Sequence, residues 1–340
     1  MAIAQSELKF YKPATVNNTG TNGGRMSTQA IAPMAMNNVW PDVAQAERAA
    51  GSIIYRKIFF KVDNASNLAL IGPRIWVFEP TPGDDRVLIF SGTQTDTQAT
   101  KSETRFYGCG RLDVDVAAGA GSIDVNVEDA SDAIFQNGDL VHITNKVGIN
   151  APSGTSQFLM VDSVSWNGNK ATLTFAIGES LLDNYTAAQG TKVASVLTPA
   201  DIVASWEAWV GSTVAGTFNG TAPSTPPSTI VPVVDSIGAI YQTWTLTFTS
   251  PTTFTCTGDT VGGVTGGSIG SDFAPVNPVF NRPYFTLPMA GWGGTWVAGE
   301  VLTFRTLPAA VPTWWKRIVP PNAASTAADM VVVAISGASA

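Results

Sequence analysis

Apolar and polar residues alternate strictly in short runs along this chain, and the alternation predicts β-strands. Gln242-Thr243-Trp244-Thr245-Leu246-Thr247-Phe248-Thr249, Thr252-Thr253-Phe254-Thr255-Cys256-Thr257 and Val301-Leu302-Thr303-Phe304-Arg305-Thr306 follow a period of two. Leu112-Asp113-Val114-Asp115-Val116 and Ser122-Ile123-Asp124-Val125-Asn126-Val127-Glu128 do the same with acids on the polar side. That pattern fits strands with one wet face. Asp139–Thr144, Phe158–Ser163 and Ala171–Phe175 continue the series. Asn167-Gly168-Asn169 supplies a tight-turn signal between two of them. Ile53–Val62, Ala69–Phe78 and Arg86–Ser91 read as strands from their aromatic and β-branched content, with Pro80-Thr81-Pro82-Gly83-Asp84-Asp85 as a hairpin-like connection. Thr313–Val319 and Met330–Ile335 close the chain as two more strands.

Helix is predicted in only two short places. Asp42–Ala50 carries a capping pattern, with Asp42 as cap and Gln45 three residues on. Thr198-Pro199-Ala200-Asp201 has a cap, a proline at the first helical position and an acid three on. Val261–Gly270 reads as a glycine-rich loop.

These elements predict an all-β, multidomain protein of small β-sandwich or barrel units, with an extended N-terminal arm and few short helices. The expected units are an arm over 1–38, a β-domain with one short helix over 39–110, an acidic barrel or sandwich over 111–218, a linker over 219–229 and a C-terminal β-sandwich over 230–340. The arm is too polar and glycine-rich to build a core. It holds apolar hooks at Leu8, Phe10 and Tyr11, then Ile31, Met34 and Met36. The expectation is that these hooks dock on a neighbouring subunit, because ordering the arm costs about 1–2 kcal/mol per residue in backbone entropy. Trp314 and Trp315 are further candidate intersubunit contacts, since tryptophan is common at interface centres.

Composition narrows the function classes. The 340 residues carry 13% charged and 44% hydrophobic residues, so the surface must be covered by Thr, Ser, Asn and Gly or hidden against other subunits. A net charge of −7 argues against a nucleic-acid surface, and twelve acids against four bases fall within residues 111–210. No stretch reaches the roughly 20 apolar residues of a membrane helix. Glu7, Lys9 and Lys12 interrupt any secretory core at the N-terminus, which predicts synthesis in a cytoplasm. The two cysteines, Cys109 and Cys256, give no disulfide framework and are expected reduced.

Chemistry-bearing clusters are sparse. The one histidine, His142, sits between apolar neighbours in a strand pattern without a nucleophile motif. Asp113, Asp115, Asp124 and Glu128 resemble a hard-cation oxygen set, but no calcium-loop motif accompanies them. Gly262–Gly270 lacks the Gly-Lys-Ser/Thr end of a phosphate loop. Trp292, Trp296, Trp314 and Trp315 crowd the last part of the chain, as a core, a subunit contact or a carbohydrate platform. No catalytic residue, metal or cofactor is expected.

Several stretches together resemble a family of virion structural proteins from tailed bacteriophages and prophages. They are Asn38-Val39-Trp40-Pro41-Asp42-Val43 with Ala46–Gly51 and Tyr55-Arg56-Lys57, then Pro80–Asp85, Gly92–Gln98 and Tyr107-Gly108-Cys109-Gly110. The last is Phe273-Ala274-Pro275 through Asn277-Pro278 with Pro283–Leu287. The resemblance covers nearly the whole chain and carries no catalytic signature. It implies a non-enzymatic particle component near the neck or collar, at the head–tail junction. Such a subunit would be assembled in a host bacterial cytoplasm, as a homo-oligomer with portal, connector or tail proteins as partners. The rival readings are a baseplate, fibre or capsid-decoration protein, a virion protein that binds a host receptor or glycan, and a virion glycan hydrolase. The last would need two carboxylates about 5–9.5 Å apart across a groove.

Overall fold

The computed structural model describes residues 2–33, 35–212, 216–218, 231–327 and 329–340. The linker expected at 219–229 and the candidate contact Met34 lie outside the described residues. The fold is all-β, as the alternation predicts, and its α1, Gln45–Ala50, spans six residues.

The chain begins with a hairpin of β1 (Leu8–Thr15) and β2 (Gly23–Ala30). β3 (Ser52–Val62), β4 (Leu70–Glu79) and β5 (Arg86–Ser91) follow. A closed antiparallel barrel comes next, built from β6 (Cys109–Leu112), β7 (Ser122–Asn126), β8 (Leu140–Thr144), β9 (Ser156–Asn167), β10 (Lys170–Phe175) and β11 (Lys192–Ser195). Its strand order is β10-β7-β6-β11-β8-β9. Closure leaves no sheet edge, and Val125, Val141, Ile143, Leu173 and Val193 fill the interior.

A third unit holds β12 (Ser205–Ser212), β13 (Gly216–Phe218), β14 (Gln242–Phe248), β15 (Thr253–Gly258), β16 (Gly262–Ser268), β17 (Val276–Asn277), β18 (Arg282–Pro283), β19 (Trp292–Gly294) and β20 (Val301–Leu307). Its main sheet runs β12-β20-β14-β15-β16. The alternating runs point Trp244, Leu246 and Phe248 inward, where they pack with Phe254, Phe285 and Trp296. The Phe248 and Trp296 rings stack 4.0 Å apart.

The chain then returns to its beginning. β21 (Ala310–Val319) inserts between β3 and β5, giving a sheet of order β2-β1-β3-β21-β5. β22 (Val332–Ser339) pairs with β4, and this ribbon covers one face of that sheet. Ile58 and Phe60 of β3, Ile75 and Val77 of β4, and Trp315 of β21 form the shared core. The other face carries Lys57, Phe59 and Lys61, also buried. Lys57 pairs with Asp96 at 2.6 Å, and Trp314 Nε1 donates to Asp96 at 2.8 Å. Gly23, with φ of +111°, lets the chain pass against the Trp314 ring, where a Cβ would meet it at 2.8 Å.

The expected unit boundaries change accordingly. Residues 310–340 do not form a sandwich with 230–307; they complete the first unit, because the apolar faces of β21 and β22 match β3, β5 and β4. The barrel spans 109–195, and β12 belongs to the third sheet. The arm also differs from expectation. β1 pairs with β3 from Leu8↔Val62 to Tyr11↔Phe59, so the segment is an edge hairpin on its own chain. Leu8, Phe10 and Ile31 are half-buried within the chain, and Tyr11 is buried against Phe59 and Phe280.

Three local expectations are corrected as well. The helix at 42–50 starts later, and Glu47 rather than Asp42 caps it, its carboxylate accepting from Ala44 N at 2.9 Å. Residues 198–201 are not helical: Leu197 and Ile202 bridge to Ile75 and Leu70, and Asp201 accepts from Gly72 N at 2.8 Å. Pairing with β4 overrides the local cap signal. Glycine-rich 262–268 is the strand β16, held by β15 on one side.

Candidate functional site

The sequence-predicted candidates disperse once placed in the fold. His142 is buried, with its ring 4.9 Å from Trp76 and 4.8 Å from Phe158. Burial, then the nearby Lys192 and Lys146, pull its pKa down to about 4, so it is neutral near pH 7. Burial pushes both cysteine thiols up to about 12. Lys170 lies 3.5 Å from Asp113 and 3.6 Å from Asp124, and Asp115 accepts from Ala187 N. These carboxylates serve ion pairing and a loop cap. Among the described residues no group of three or more His, Cys, Asp or Glu is gathered as a metal site.

The terminal tryptophans divide between two cores. Trp296 is fully buried in the third unit, and Trp292 packs half-buried beside it. Trp314 and Trp315 are buried in the first unit, which removes them as an open intersubunit or glycan-stacking surface. Of the arm residues, Met36 is open to solvent, at 84% exposure.

What the structure does assemble is a groove of roughly 650 Å³ on the first unit. Residues 31–33 and 35–43, the 81–85 turn, and residues 323–326 and 329–333 wall it, and β21 forms its floor. The floor follows from strand periodicity: Trp315, Arg317 and Val319 share one face of β21 and all line the groove. The turn is set by Thr81, whose hydroxyl donates to Asp85 O at 2.5 Å. Asp84 accepts from Ala324 N at 2.7 Å and ties the turn to the opposite wall. Two arginines on adjacent strands hold the 39–41 stretch. Arg56 Nε donates to Val39 O at 3.1 Å, and Arg317 Nη1 donates to Pro41 O at 3.0 Å.

Polar groups are only half satisfied here. Arg317 Nε and Nη2, Trp40 Nε1 and Asp85 Oδ1 are buried without a hydrogen-bond partner, and all three residues line the groove. Arg317 is 6% exposed, and its guanidinium sits 5.6 Å above the Trp40 ring. Burial lowers its pKa, opposed by the charges of Asp85, Glu47, Asp329 and Asp42. Burial, with the Asp329 carboxyl beside it, raises Asp85 to about 6. An apolar concavity with a few convergent polar groups is the usual form of a binding site.

Sequence reasoning missed this site. Its polar members come from four separated stretches, and Asp84-Asp85 reads locally as turn chemistry. The one local signal is Arg317 on the inward face of a strand otherwise rich in apolar residues. Comparisons of the chain with family models, with characterised proteins and with solved structures found no match.

Proposed function

We propose that this chain is a non-enzymatic structural subunit of a tailed-bacteriophage virion, assembling as an oligomer in the neck or collar region. The observation that supports it most directly is the unguarded edge β16. Its sequence, Gly262-Gly263-Val264-Thr265-Gly266-Gly267-Ser268, ends the third sheet without a charge, a proline or a covering strand among the described residues. Strand edges of soluble monomers are commonly blunted by such devices, and an edge that lacks them is suited to pairing with another chain. The barrel adds exposed apolar side chains at Val147, Ile177 and Leu182. The charged groups of the first unit serve cohesion instead. Lys57–Asp96 and Lys61–Asp63 are buried pairs, and Arg25–Asp259 clamps the hairpin to the third unit at 2.6 Å. The resemblance of the segments quoted above supplies the virion assignment, and the edges supply the mode of contact.

The test is particle composition. An antibody against the purified chain should decorate the head–tail junction of purified virions in electron micrographs, in a fixed copy number by mass spectrometry. Absence of the chain from particles sinks the proposal. Labelling at a baseplate or fibre instead moves the subunit and overturns the neck assignment.

A further inference from the structure

Lys57 is fully buried in the middle of β3, a rare place for an ammonium group. Its Nζ lies 5.0 Å from the centre of the Phe59 ring and 5.9 Å from that of Trp314. Burial lowers its pKa, opposed by Asp96, and so favours the neutral, nucleophilic amine. Two backbone carbonyls, Gly24 O at 2.7 Å and Asp96 O at 3.0 Å, accept from Nζ and fix its position.

Its partner is placed as an electrophile. Asp96 is buried too, with Oδ1 2.6 Å from Lys57 Nζ. Oδ1 nevertheless has no hydrogen-bond partner, so the nitrogen approaches the carboxyl out of line with a hydrogen bond. Trp314 Nε1 donates to the other oxygen, Oδ2, at 2.8 Å, where it can stabilise the charge of a tetrahedral carbon. The Asp96 backbone is anchored: its carbonyl accepts from Gly24 N at 2.8 Å, and its N–H donates to Thr93 Oγ1 at 3.0 Å. Two other buried lysines lack this arrangement. Lys61 meets Asp63, whose carboxylate also accepts from Lys9 and Tyr11. Lys192 meets Glu79, which is partly open to water.

We infer that Lys57 and Asp96 join in an intramolecular isopeptide bond once the first unit has folded. Within the pair a proton passes from the ammonium to the carboxylate, leaving an amine and a carboxylic acid. The amine nitrogen attacks Asp96 Cγ, its surplus proton moves to the departing hydroxyl, and the Cγ–O bond breaks with loss of one water. The condensation consumes no oxidant, reductant or co-reactant. Folding supplies the proximity that the uncatalysed reaction lacks, because β2, β3, β21 and the 92–98 stretch must all be in place. The product ties β3 covalently to the 92–98 stretch and removes two charges from the core. The reaction belongs to the single chain, so it stands apart from the virion reading.

The experiment weighs the intact chain by mass spectrometry under denaturing conditions. The purified protein should be lighter than its sequence by one water. Tryptic digestion should give a branched peptide joining residues 57–61 to residues 87–101, with cleavage after Lys57 lost. Lys57→Arg and Asp96→Ala should each restore the full mass. Because the native chain is itself weighed and mapped, the result does not rest on either variant folding. A native chain of full mass means an ion pair only and overturns the proposal. The same water loss in Lys57→Arg, or its mapping to any other pair of residues, overturns it as well.

Discussion

Two buried titratable residues act in opposite directions on stability, and the signs follow from their surroundings. His142 faces Trp76, Phe78 and Phe158, with Lys192 and Lys146 as the nearby charges, and is held at about 4. An unfolded histidine protonates below about 6.5, so its contribution is intact above that pH and fades as pH falls toward 4. Asp85 faces Asp329 and Arg317 and is raised to about 6. Its unfolded carboxyl ionises above about 3.9, so stability is full below that pH and declines as pH rises through 6. Between pH 4 and 6 the two terms oppose each other. Urea unfolding of His142→Phe and Asp85→Asn across this window should separate them. The histidine variant should gain relative to wild type as pH falls, and the aspartate variant should gain as pH rises. Each change should be about 1–3 kcal/mol, on the scale of 1.36 kcal/mol per pKa unit. Parallel curves for all three proteins would show that neither group titrates differently on folding.

At the scale of elements, the N-terminal hairpin decides between cohesion and exchange. Tyr11 is buried, its hydroxyl donates to Asp63 at 3.3 Å, and Lys61 lies 5.6 Å over its ring. Tyr11→Ala should therefore destabilise the monomer by about 3–5 kcal/mol, the usual cost of emptying a large aromatic site. Equilibrium denaturation of the dilute chain measures this. An unchanged unfolding midpoint with an altered oligomeric state would restore the arm to an exchange role. The strands themselves were legible where alternation is strict, as at Gln242–Phe248, because a period of two reports a half-buried pleat directly. Partner choice was not. β1 looks like part of a tail because the polar, glycine-rich stretch Asn17–Gly24 follows it, and the register Phe10↔Phe60 gives its apolar positions a place to go. Gly262–Ser268 looks like a loop because its strand state is imposed by β15. The groove was illegible for the same reason: Trp40, Asp85 and Arg317 meet only through the sheet that joins the two ends of the chain.

That joining governs the molecule as a whole. Every strand of the barrel pairs inside 109–195, and Leu88 and Ile318 of the first unit pack onto its core. The first sheet is the opposite case. Its β21 runs the length of β3, from Ala310↔Lys61 to Val319↔Ser52, and also pairs with β5. Until β21 arrives, β3 and β5 are not neighbours, and the core around Ile58, Phe60, Ile75 and Trp315 has no second half. Non-local pairing of this kind forms late, because closing the intervening chain costs entropy before any contact repays it. A fragment of residues 105–198 should therefore fold alone, with a β-type spectrum and a cooperative unfolding transition. A fragment of residues 1–107 should remain unfolded, because it lacks the central strand of its sheet. In refolding of the full chain, pulsed hydrogen exchange should protect amides of β7, β8 and β10 before those of β3 and β21. Early protection of β3, or a well-folded 1–107 fragment, would mean that the hairpin, β3, β4 and β5 form a stable unit without the chain's end. The late arrival of β21 would then be a finishing contact instead of the step that creates the first unit and, with it, the Arg317 groove.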